Sequence, residues 1–371
     1  MLATFSFPTT TLFGIGARNE LAPRVAALGG RRPLVVTDAG LVKTGAFRLL
    51  NEALRDSRAA VFSGVRPNPQ EDDVEKAFAA YRDNDADLIV AFGGGSALDV
   101  GKALRLRIRR PDKTLAQFEP KADWTGLVPL VAIPTTAGTG SEVGRSAVIV
   151  SEGRKRVFFH PKLLAELVIL DAEFTRELPP HLTAATGADA LTHCIESFTS
   201  PVFHPLCDGV ALEGIQLISR SLRRTVQDGD ELEARGLMQI AAAMGGIAFQ
   251  KDLGATHSLA HPLSAICGLH HGLANALCLP HVMEFNASHR GGIYRRVGIA
   301  LGLEAADDRA TIEAVRSLLA EIGLSGGLRA HGVGDSQLDA LAAQAVEDGC
   351  HLTNPVPVTR EDLRMLYLRA L

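Results

Sequence analysis

The sequence lacks the features that direct a chain to a membrane, to the secretory pathway or to nucleic acid. It has no uncharged apolar run of about 18 residues or more, so we expect no transmembrane helix. Residues 1–16 have neither a basic start nor a long apolar stretch, so we expect no signal peptide. The formal net charge of −4 gives no overall attraction to nucleic acid or to an anionic membrane, and we expect neither as a partner.

Paired cysteines are also absent. The cysteines number five, which is odd, and no two of them form a CxxC pair. This pattern is typical of a reduced cytoplasmic chain and not of a disulfide framework. Most of them lie in apolar helical patterns, and we interpret them as small buried hydrophobic residues. They are Cys194, Cys207, Cys267, Cys278 and Cys350.

Apolar residues, in contrast, are plentiful. They make up 46% of 371 residues, which is enough for about two domain cores and excludes a disordered chain. In the first half, short apolar runs alternate with helical patterns, and this predicts a doubly wound parallel sheet. The runs lack polar alternation, as strands buried on both faces do. The runs are 31–40, 59–65, 86–96, 127–136 and 167–171, and helical patterns occupy 46–57 and 70–84.

The pattern changes near residue 179. Before it, two β-rich stretches within 146–160 flank Ser-Glu-Gly and predict a hairpin. From Pro179 onward, Ala, Leu, Met and Ile recur at helical spacing, and β-branched runs disappear. We therefore predict an α/β domain over 1–178 and an all-helical domain over 179–371. We interpret the basic run 105–113 as the solvated end of a helix and not as a binding patch.

A glycine-rich turn after the third apolar run is a candidate phosphate site. The segment GGGS (93–96) lies between that run and the helical pattern ALDVGKAL. Glycines let the backbone approach a pyrophosphate, and the start of a helix offers free N–H groups. A turn that serves packing alone is the alternative. The earlier segment GIGARN (14–19) has Asn19 in place of the third glycine of a dinucleotide motif, and we interpret it as a tight turn.

Two other strand ends carry polar groups. Hydroxyls and glycines fill 134–142, directly after the fourth run, and such residues suit a ligand crevice at the carboxyl edge of a sheet. An ordinary polar loop is the alternative. Asp38 ends the first run, where a carboxylate can accept hydrogen bonds from an adenosine ribose and repel a 2′-phosphate. A turn-forming Asp before Ala-Gly is the alternative there.

Histidines are concentrated in the helical half. Asp189 and His193 lie four residues apart in a helical pattern, which places both side chains on one helix face. Five histidines in the apolar stretch 253–281 are hard to explain as core packing. One carboxylate with several imidazoles suits Fe2+ or Zn2+, and histidines with a purely structural role are the alternative. The five are His257, His261, His270, His271 and His281.

Taken together, these segments resemble the iron-containing (group III) alcohol dehydrogenase family over nearly the whole chain. Several of the matching segments are long and specific. They are FGIGA (13–17), VVTD (35–38), PNP (67–69), GGGSALDVGK (93–102), IPTTAGTGSE (133–142), GADALTHCIE (187–196), HSLAHPLSA (257–265), HHGLANALCLPHVMEFN (270–286) and TNPVPVTREDL (353–363).

The resemblance implies a dehydroquinate synthase-like fold, with a dinucleotide-binding domain over 1–178, a helical metal-binding catalytic domain over 179–371, and the metal in the cleft. It also implies a proton-relay role for His261, and it places Cys350 in the lining of the substrate pocket. The implied metal ligands are Asp189, His193, His257 and His271. The implied cofactor contacts are Asp38, Asn68, Gly94, Gly95, Ser96, Asp99, Thr135, Thr136, Thr139 and Lys155.

The activity that the resemblance implies is hydride transfer between NAD(H) and a small alcohol, with the matching aldehyde or ketone as the other reactant. Fe2+, or Zn2+ in its place, acts as Lewis acid on the alcohol oxygen. We expect NAD rather than NADP because of Asp38. We further expect a cytoplasmic homodimer that has a small molecule as its reaction partner.

Three other functions compete with this one. A maleylacetate reductase-like enzyme belongs to a related branch that can work without metal, but that branch tends to lose the Asp that is present here as Asp189. A lyase like dehydroquinate synthase binds a polyanionic substrate with many Lys and Arg, whereas the helical motifs here are apolar and rich in His. A non-catalytic metal-binding or sensor protein would not need the intact cofactor loops.

Overall fold

The structure, a computed structural model, describes residues 9–152 and 154–371, without the side chain of Arg154. The predictions about the first eight residues, and about Gly153 in the hairpin, lie outside the described residues. The chain forms two compact units. One comprises Pro179–Leu371 with the short segment Ala137–Thr139, and the other comprises the described residues up to Thr136 with Gly140–Leu178.

The α/β unit contains a parallel sheet of six strands, as predicted. Their spatial order is β1-β8-β5-β4-β2-β3, and each neighbouring pair is parallel. The central strands are buried on both faces, which explains their unbroken apolar runs. The strands are β1 (Thr10–Phe13), β2 (Pro33–Val36), β3 (Ala60–Phe62), β4 (Leu88–Gly93), β5 (Leu130–Pro134) and β8 (Leu167–Leu170). The predicted hairpin is β6 (Ser146–Ser151) with β7 (Arg154–Phe159).

The helices between these strands follow the predicted alternation. Gly101 in α4 lets that helix lie close to the sheet, because a Cβ atom there would come within 2.7 Å of the Ala91 side chain. The helices of this unit are α1 (Leu21–Ala27), α2 (Gly45–Ala53), α3 (Glu71–Asp83) and α4 (Gly95–Arg109).

Two features of this unit differ from the sequence analysis. Strand β1 was not predicted, because its four residues are partly exposed at the edge of the sheet and two of them are threonines. The interpretation of 105–113 as a solvated helix end is wrong for Arg105, which is 1% exposed. Its guanidinium donates to the carbonyls of Val128 and Leu164 and pairs with Glu166 at 2.6 Å. A buried arginine needs such partners, and they are remote in sequence.

The second unit is helical, as predicted. Helix α5 is buried along almost all of its length, from Thr183 to Ser197, and small residues allow its neighbours to approach closely. A Cβ atom on Gly272 would lie 2.0 Å from the Ala185 carbonyl oxygen, so α9 contacts α5 through backbone. The helices are α5 (Pro180–Thr199), α6 (Pro205–Gln227), α7 (Leu232–Ala248), α8 (Ala255–Ile266), α9 (His271–His289), α10 (Arg295–Ala300), α11 (Asp308–Glu321), α12 (Leu338–Ala345) and α13 (Arg360–Ala370).

Two apolar clusters stabilise the helical unit. One joins α5, α6 and α7 with α9, α10 and α11, and the other joins α8 and another face of α9 with α12 and α13. Helices α5, α8 and α9 therefore meet where the two clusters adjoin. Among the described residues, no helix is both long and apolar enough to span a bilayer. The five cysteines are free, and Cys194, Cys207 and Cys278 are buried, as expected for small hydrophobic residues.

Candidate active site

Three helices bring four polar side chains to one point in the helical unit. Asp189 and His193 lie one turn apart on α5, His257 lies on α8, and His271 is the first residue of α9. Asp189 Oδ1 lies 3.5 Å from His271 Nε2 and 3.9 Å from Nε2 of both His193 and His257. The four residues expected as metal ligands therefore converge on one carboxylate oxygen.

This geometry fits a single divalent ion. Donor atoms that bind one ion tetrahedrally at about 2.0–2.2 Å lie about 3.3–3.6 Å from one another. His271 Nε2 stands at such a distance from Asp189 Oδ1, whereas Nε2 of His193 and of His257 stands slightly farther away, and all three are too far for direct hydrogen bonds. The ligand atoms of Asp189, His257 and His271 also lie within 4.8 Å of one another, and this group does not include His193. One carboxylate and three imidazoles form a donor set that suits Fe2+ or Zn2+. The residues present therefore fit the metal that the sequence indicates.

Asn275 is a fifth polar side chain at this point, and the sequence analysis did not identify it. Its Nδ2 atom donates to Asp189 Oδ1 at 2.7 Å and lies 3.3 Å from Nε2 of both His257 and His271. Because an amide nitrogen only donates, these ring nitrogens can act as acceptors. The signal in the sequence was its place four residues after His271, on the same face of α9.

Burial and charge set the protonation of the cluster. Burial alone would raise the pKa of Asp189, but the imidazoles of His193, His271 and His257 outweigh it and lower that pKa to about 2. Burial dominates at His193 and lowers its pKa to about 4. At neutral pH, Asp189 is ionised and His193 is neutral.

A second carboxylate contacts Nδ1 of His257, the ring nitrogen that does not face Asp189. Glu196 Oε2 lies 2.6 Å from His257 Nδ1, and both side chains are at least 95% buried. Burial would lower the pKa of His257, but the hydrogen bond and the charge of Glu196 outweigh it and raise that pKa. Glu196 lies three residues after His193 on α5, so helical spacing alone could have indicated that it faces the cluster.

His261 does not join the group around Asp189, although its ring stacks on that of His271 at 5.3 Å. Its Nδ1 atom lies 2.7 Å from Asp348 Oδ2, and the side chain is 33% exposed. Burial would raise the pKa of Asp348, but the hydrogen bond from His261 outweighs it and lowers that pKa. Cys350 lies beside this pair, since its thiol is within 4.8 Å of both polar groups.

The remaining histidines of the 253–281 stretch lie elsewhere. His270 precedes α9 and is exposed. His281 is on α9, where its Nδ1 atom is 3.9 Å from Glu284 Oε2. Neither belongs to the group of ligand atoms around Asp189, so the density of histidines in the sequence overstated the number of candidate ligands.

In the α/β unit, the expected cofactor residues collect at the carboxyl edge of the sheet. Strands β2, β4 and β5 are neighbours, and Asp38, the GGGS turn and Thr136 follow their ends. A Cβ atom on Gly94 would lie 3.5 Å from the Thr136 methyl group, and one on Gly93 would lie 4.0 Å from Asp38 Oδ2. The structure thus brings these separate segments together, as the parallel sheet predicts.

The GGGS turn has the form that a phosphate site requires. Gly93 has φ 152°, and its Cβ atom would lie 2.8 Å from the Ala97 side chain, so only glycine fits. Gly94 precedes the 15-residue helix α4, whose first residues are Gly95 and Ser96. Their backbone N–H groups are at the helix start, where the helix dipole favours an anion.

Asp38 forms a turn, which was the alternative to ribose binding in the sequence analysis. Its Oδ1 atom accepts hydrogen bonds from the backbone of Gly40 at 2.8 Å and of Leu41 at 2.9 Å. The second oxygen, Oδ2, lies on the side of Gly93. The turn role is therefore confirmed, and ribose binding stays a prediction that the geometry of Oδ2 allows.

Asp99 is engaged by the protein itself. Its two oxygens accept from Ser141 Oγ at 2.6 Å and from the Val148 backbone at 3.0 Å, and Lys102 Nζ is 3.4 Å away. Lys102 is 2% exposed and also donates to the Ser146 carbonyl. Asp99 therefore ties the 134–142 loop and strand β6 to helix α4, which no local pattern in the sequence indicates.

The other expected cofactor residues lie in different surroundings. Thr135 is buried and donates its backbone N–H to Gly93. Asn68 adopts φ 52°, and the neighbouring Pro69 carbonyl accepts from Val150, the partner of Lys155 in the hairpin. Thr139 lies in the short segment that belongs to the helical unit.

Comparisons with known proteins identify the family of the chain. The family described as iron-containing alcohol dehydrogenase matches residues 8–172, and its C-terminal part, described as Fe-containing alcohol dehydrogenase family, C-terminal, matches 183–371. A 4-hydroxybutyrate dehydrogenase from Cupriavidus necator is 40% identical over 365 residues, which are 95% of each chain.

Two solved structures share the whole fold. A 1,3-propanediol oxidoreductase superposes with a TM-score of 0.95 at 33% identity, with 100% of both chains covered. A sulfoacetaldehyde reductase from Bifidobacterium kashiwanohense, in complex with NAD+, superposes with a TM-score of 0.91 at 30% identity. That match covers 100% of this chain and 99% of the other.

Proposed function

The chain belongs to the iron-containing alcohol dehydrogenase family and is a metal-dependent, NAD-linked alcohol oxidoreductase, and on that premise we propose which residues perform the reaction. Residues 1–178 bind the dinucleotide, and residues 179–371 hold the metal and the reacting alcohol. The substrate is a small alcohol, with the matching aldehyde or ketone as product.

One observation carries the proposal for the catalytic centre. Three Nε2 atoms, from three different helices, stand 3.5–3.9 Å from a single buried carboxylate oxygen. Burying a carboxylate among imidazoles is costly unless a cation or hydrogen bonds compensate it. We assign Asp189, His193, His257 and His271 as the ligands of one divalent ion, Fe2+ or Zn2+ in its place.

When bound, the ion supplies Lewis acidity to an alcohol oxygen, and the nicotinamide supplies the hydride acceptor. The protein holds the ligands in place and carries away the alcohol proton. His261 is the carrier in this proposal, because Asp348 holds its Nδ1 atom at 2.7 Å and leaves Nε2 for the proton. Its ring stacks on His271 and is 33% exposed, so it lies beside the proposed ligands and still contacts solvent.

The dinucleotide is bound at the carboxyl edge of the sheet. The helix start at Gly94, Gly95 and Ser96 holds the pyrophosphate, and the neighbouring Thr135 and Thr136 complete the loop. Asp38 Oδ2 is directed to the adenosine ribose and favours NAD over NADP. Asp99 is assigned an indirect role, because it already binds Ser141 and Val148. Asn68, Thr139 and Lys155 are assigned weaker contacts.

Assembly and location complete the proposal. The five free cysteines fit a reducing compartment, and we propose that the enzyme works in the cytoplasm. We also propose a homodimer. Light scattering on the purified chain should then give about twice the chain mass of 39.4 kDa, and a monomer mass would contradict the dimer.

Removing a proposed ligand should remove both metal and activity. Protein loaded anaerobically with Fe2+ should oxidise NADH, seen at 340 nm, with short aldehydes or with sulfoacetaldehyde, and should reduce NAD with 1,3-propanediol or 4-hydroxybutyrate. His257→Ala and His271→Ala should lose most metal by elemental analysis and nearly all turnover. His281→Ala, on the same helix as His271 but near Glu284, should keep both. Full metal occupancy in both ligand variants would contradict the assignment.

Changing Asp38 should relax cofactor choice. A carboxylate repels a 2′-phosphate, and a tenfold preference requires only about 1.4 kcal/mol. Asp38→Gly should therefore raise the ratio of kcat/KM for NADP to that for NAD. Asp38→Asn keeps an oxygen for the Gly40 and Leu41 N–H groups while it removes the charge, so it should raise the same ratio with less damage to the turn. A wild-type preference for NADP would show the idea to be wrong.

Replacing His261 should separate proton transfer from metal binding. His261→Gln should keep its metal and lose turnover, because general acid–base help is typically worth about 10²–10⁴-fold. The loss should be greatest at low buffer concentration, and added imidazole should restore part of the activity.

Two outcomes would contradict this role for His261. Loss of metal in His261→Gln would make the residue a ligand or a support for one. Full activity with an unchanged pH profile would leave it without a part in the reaction. His281→Gln provides the matched control, since that histidine lies outside the cluster.

A further inference from the structure

Glu196 is a buried carboxylate to which the reaction itself assigns no step. It is 4% exposed and lies on α5, seven residues after Asp189 and three after His193. These spacings place the three side chains on one face of the helix. The same face of α5 thus carries two proposed ligands and one carboxylate that is not a proposed ligand.

Three donors from one short segment converge on this carboxylate. Oε1 accepts from the Thr256 backbone at 2.6 Å, and Oε2 accepts from the Gly254 backbone at 3.0 Å. Oε2 also lies 2.6 Å from His257 Nδ1. Gly254 and Thr256 stand at the start of α8, so Glu196 both caps that helix and contacts the side chain of its third residue.

These contacts decide which nitrogen of His257 can bind a metal. An ionised carboxylate only accepts hydrogen bonds, so His257 donates from Nδ1. In the neutral ring the lone pair is then on Nε2, the atom that lies 3.9 Å from Asp189 Oδ1. The Asn275 amide nitrogen, a donor 3.3 Å from that Nε2, agrees with this tautomer. The ring therefore has the tautomer and the orientation that a metal ligand requires.

We propose that Glu196 is a positioning residue for the metal centre, which fixes the tautomer and orientation of His257 and thereby raises the affinity of the site for a divalent ion. The proposal rests on the proposed function in one respect, that His257 is a ligand. Carboxylates that orient metal-bound histidines typically contribute about 10–100-fold to metal affinity.

A role in capping α8 alone would have a different signature. Capping stabilises the helix whether or not metal is present, so its loss lowers the melting temperature of the metal-free protein and leaves metal affinity unchanged. Positioning changes the metal affinity itself. The measurement that separates the two is the dissociation constant for Zn2+ or Co2+ alone, beside the melting temperature of the metal-free form.

Glu196→Gln is the main test variant, because it keeps the shape and removes the second acceptor. If the NH2 group takes the place of Oε2, it faces the Gly254 N–H and His257 Nδ1. If it takes the place of Oε1, it faces the Thr256 N–H, and His257 keeps only a neutral and therefore weaker acceptor. We expect its dissociation constant for Zn2+, measured by competition with a chromophoric chelator, to rise about 10–100-fold. The Co2+ form should also show an altered visible spectrum, because the ligand field changes when His257 is displaced.

Gly254→Ala is a second variant that leaves the charge of Glu196 in place. The added Cβ atom would lie 2.8 Å from Glu196 Oε1 and 3.0 Å from Asn354 Oδ1, so the carboxylate must shift. Its metal affinity should fall in the same direction. Glu284→Gln is the matched control, since it removes the carboxylate beside His281, which is not a proposed ligand. It should change the dissociation constant by less than about threefold.

The outcomes distinguish this inference from the proposed function. A folded Glu196→Gln protein with a dissociation constant within about threefold of wild type overturns the inference. If circular dichroism shows that this variant does not fold, the affinity of Gly254→Ala decides by the same criterion. If wild type and His257→Ala bind Zn2+ equally well, the ligand assignment itself fails, whatever Glu196 does.

Discussion

The helical unit depends on the stabilisation of one buried charge. Asp189 is 2% exposed, and a carboxylate in that position is unfavourable unless cations or hydrogen-bond donors surround it. The Asn275 amide donates to it, and three imidazoles face it. These groups come from α5, α8 and α9, so the three helices must meet with backbone separations that only small residues permit. Gly272 meets that need, because any Cβ atom would collide with the Ala185 carbonyl.

The α/β unit satisfies a different constraint. A parallel sheet places the carboxyl ends of neighbouring strands at one edge. The loops that follow these ends must hold polar groups without the backbone hydrogen bonds that join paired strands. The network of Asp99, Lys102 and Ser141 supplies that support from within the fold. Glu142 is buried beside it, and burial raises its pKa to about 7. The loops with the predicted cofactor contacts therefore depend on the ion pair of Asp99 with the buried Lys102, as the centre in the helical unit depends on partners for Asp189.

The sheet, the helical half and the pair Asp189 and His193 could be predicted because those features have local signals, whereas the choice of His257 and His271 among five histidines came from the family resemblance. Unbroken apolar runs mark buried strands, and Asp189 with His193 have the spacing of a helix face. Asp348 was missed because its partner His261 is 87 residues away in the chain. Glu196 and Asn275 have helical spacing from His193 and His271, but their contacts with His257 and Asp189 join residues 61 and 86 positions apart. Arg105 was misjudged for the same reason, since its partner Glu166 is 61 residues distant. A charged residue is therefore interpreted as exposed from the sequence when its partner is remote in the chain.

Helix α8 carries two imidazole–carboxylate pairs, and burial separates their roles. The pair His257–Glu196 has side-chain exposures of 1% and 5%, whereas the pair His261–Asp348 has 33% and 21%. A metal-binding imidazole requires a lone pair that stays on one nitrogen. A buried carboxylate ensures this, because no water competes with it for the hydrogen bond from Nδ1. A proton carrier must exchange its proton with solvent, which a buried ring cannot do. The same chemical pair, one turn apart on one helix, is therefore suited to opposite tasks by its access to water.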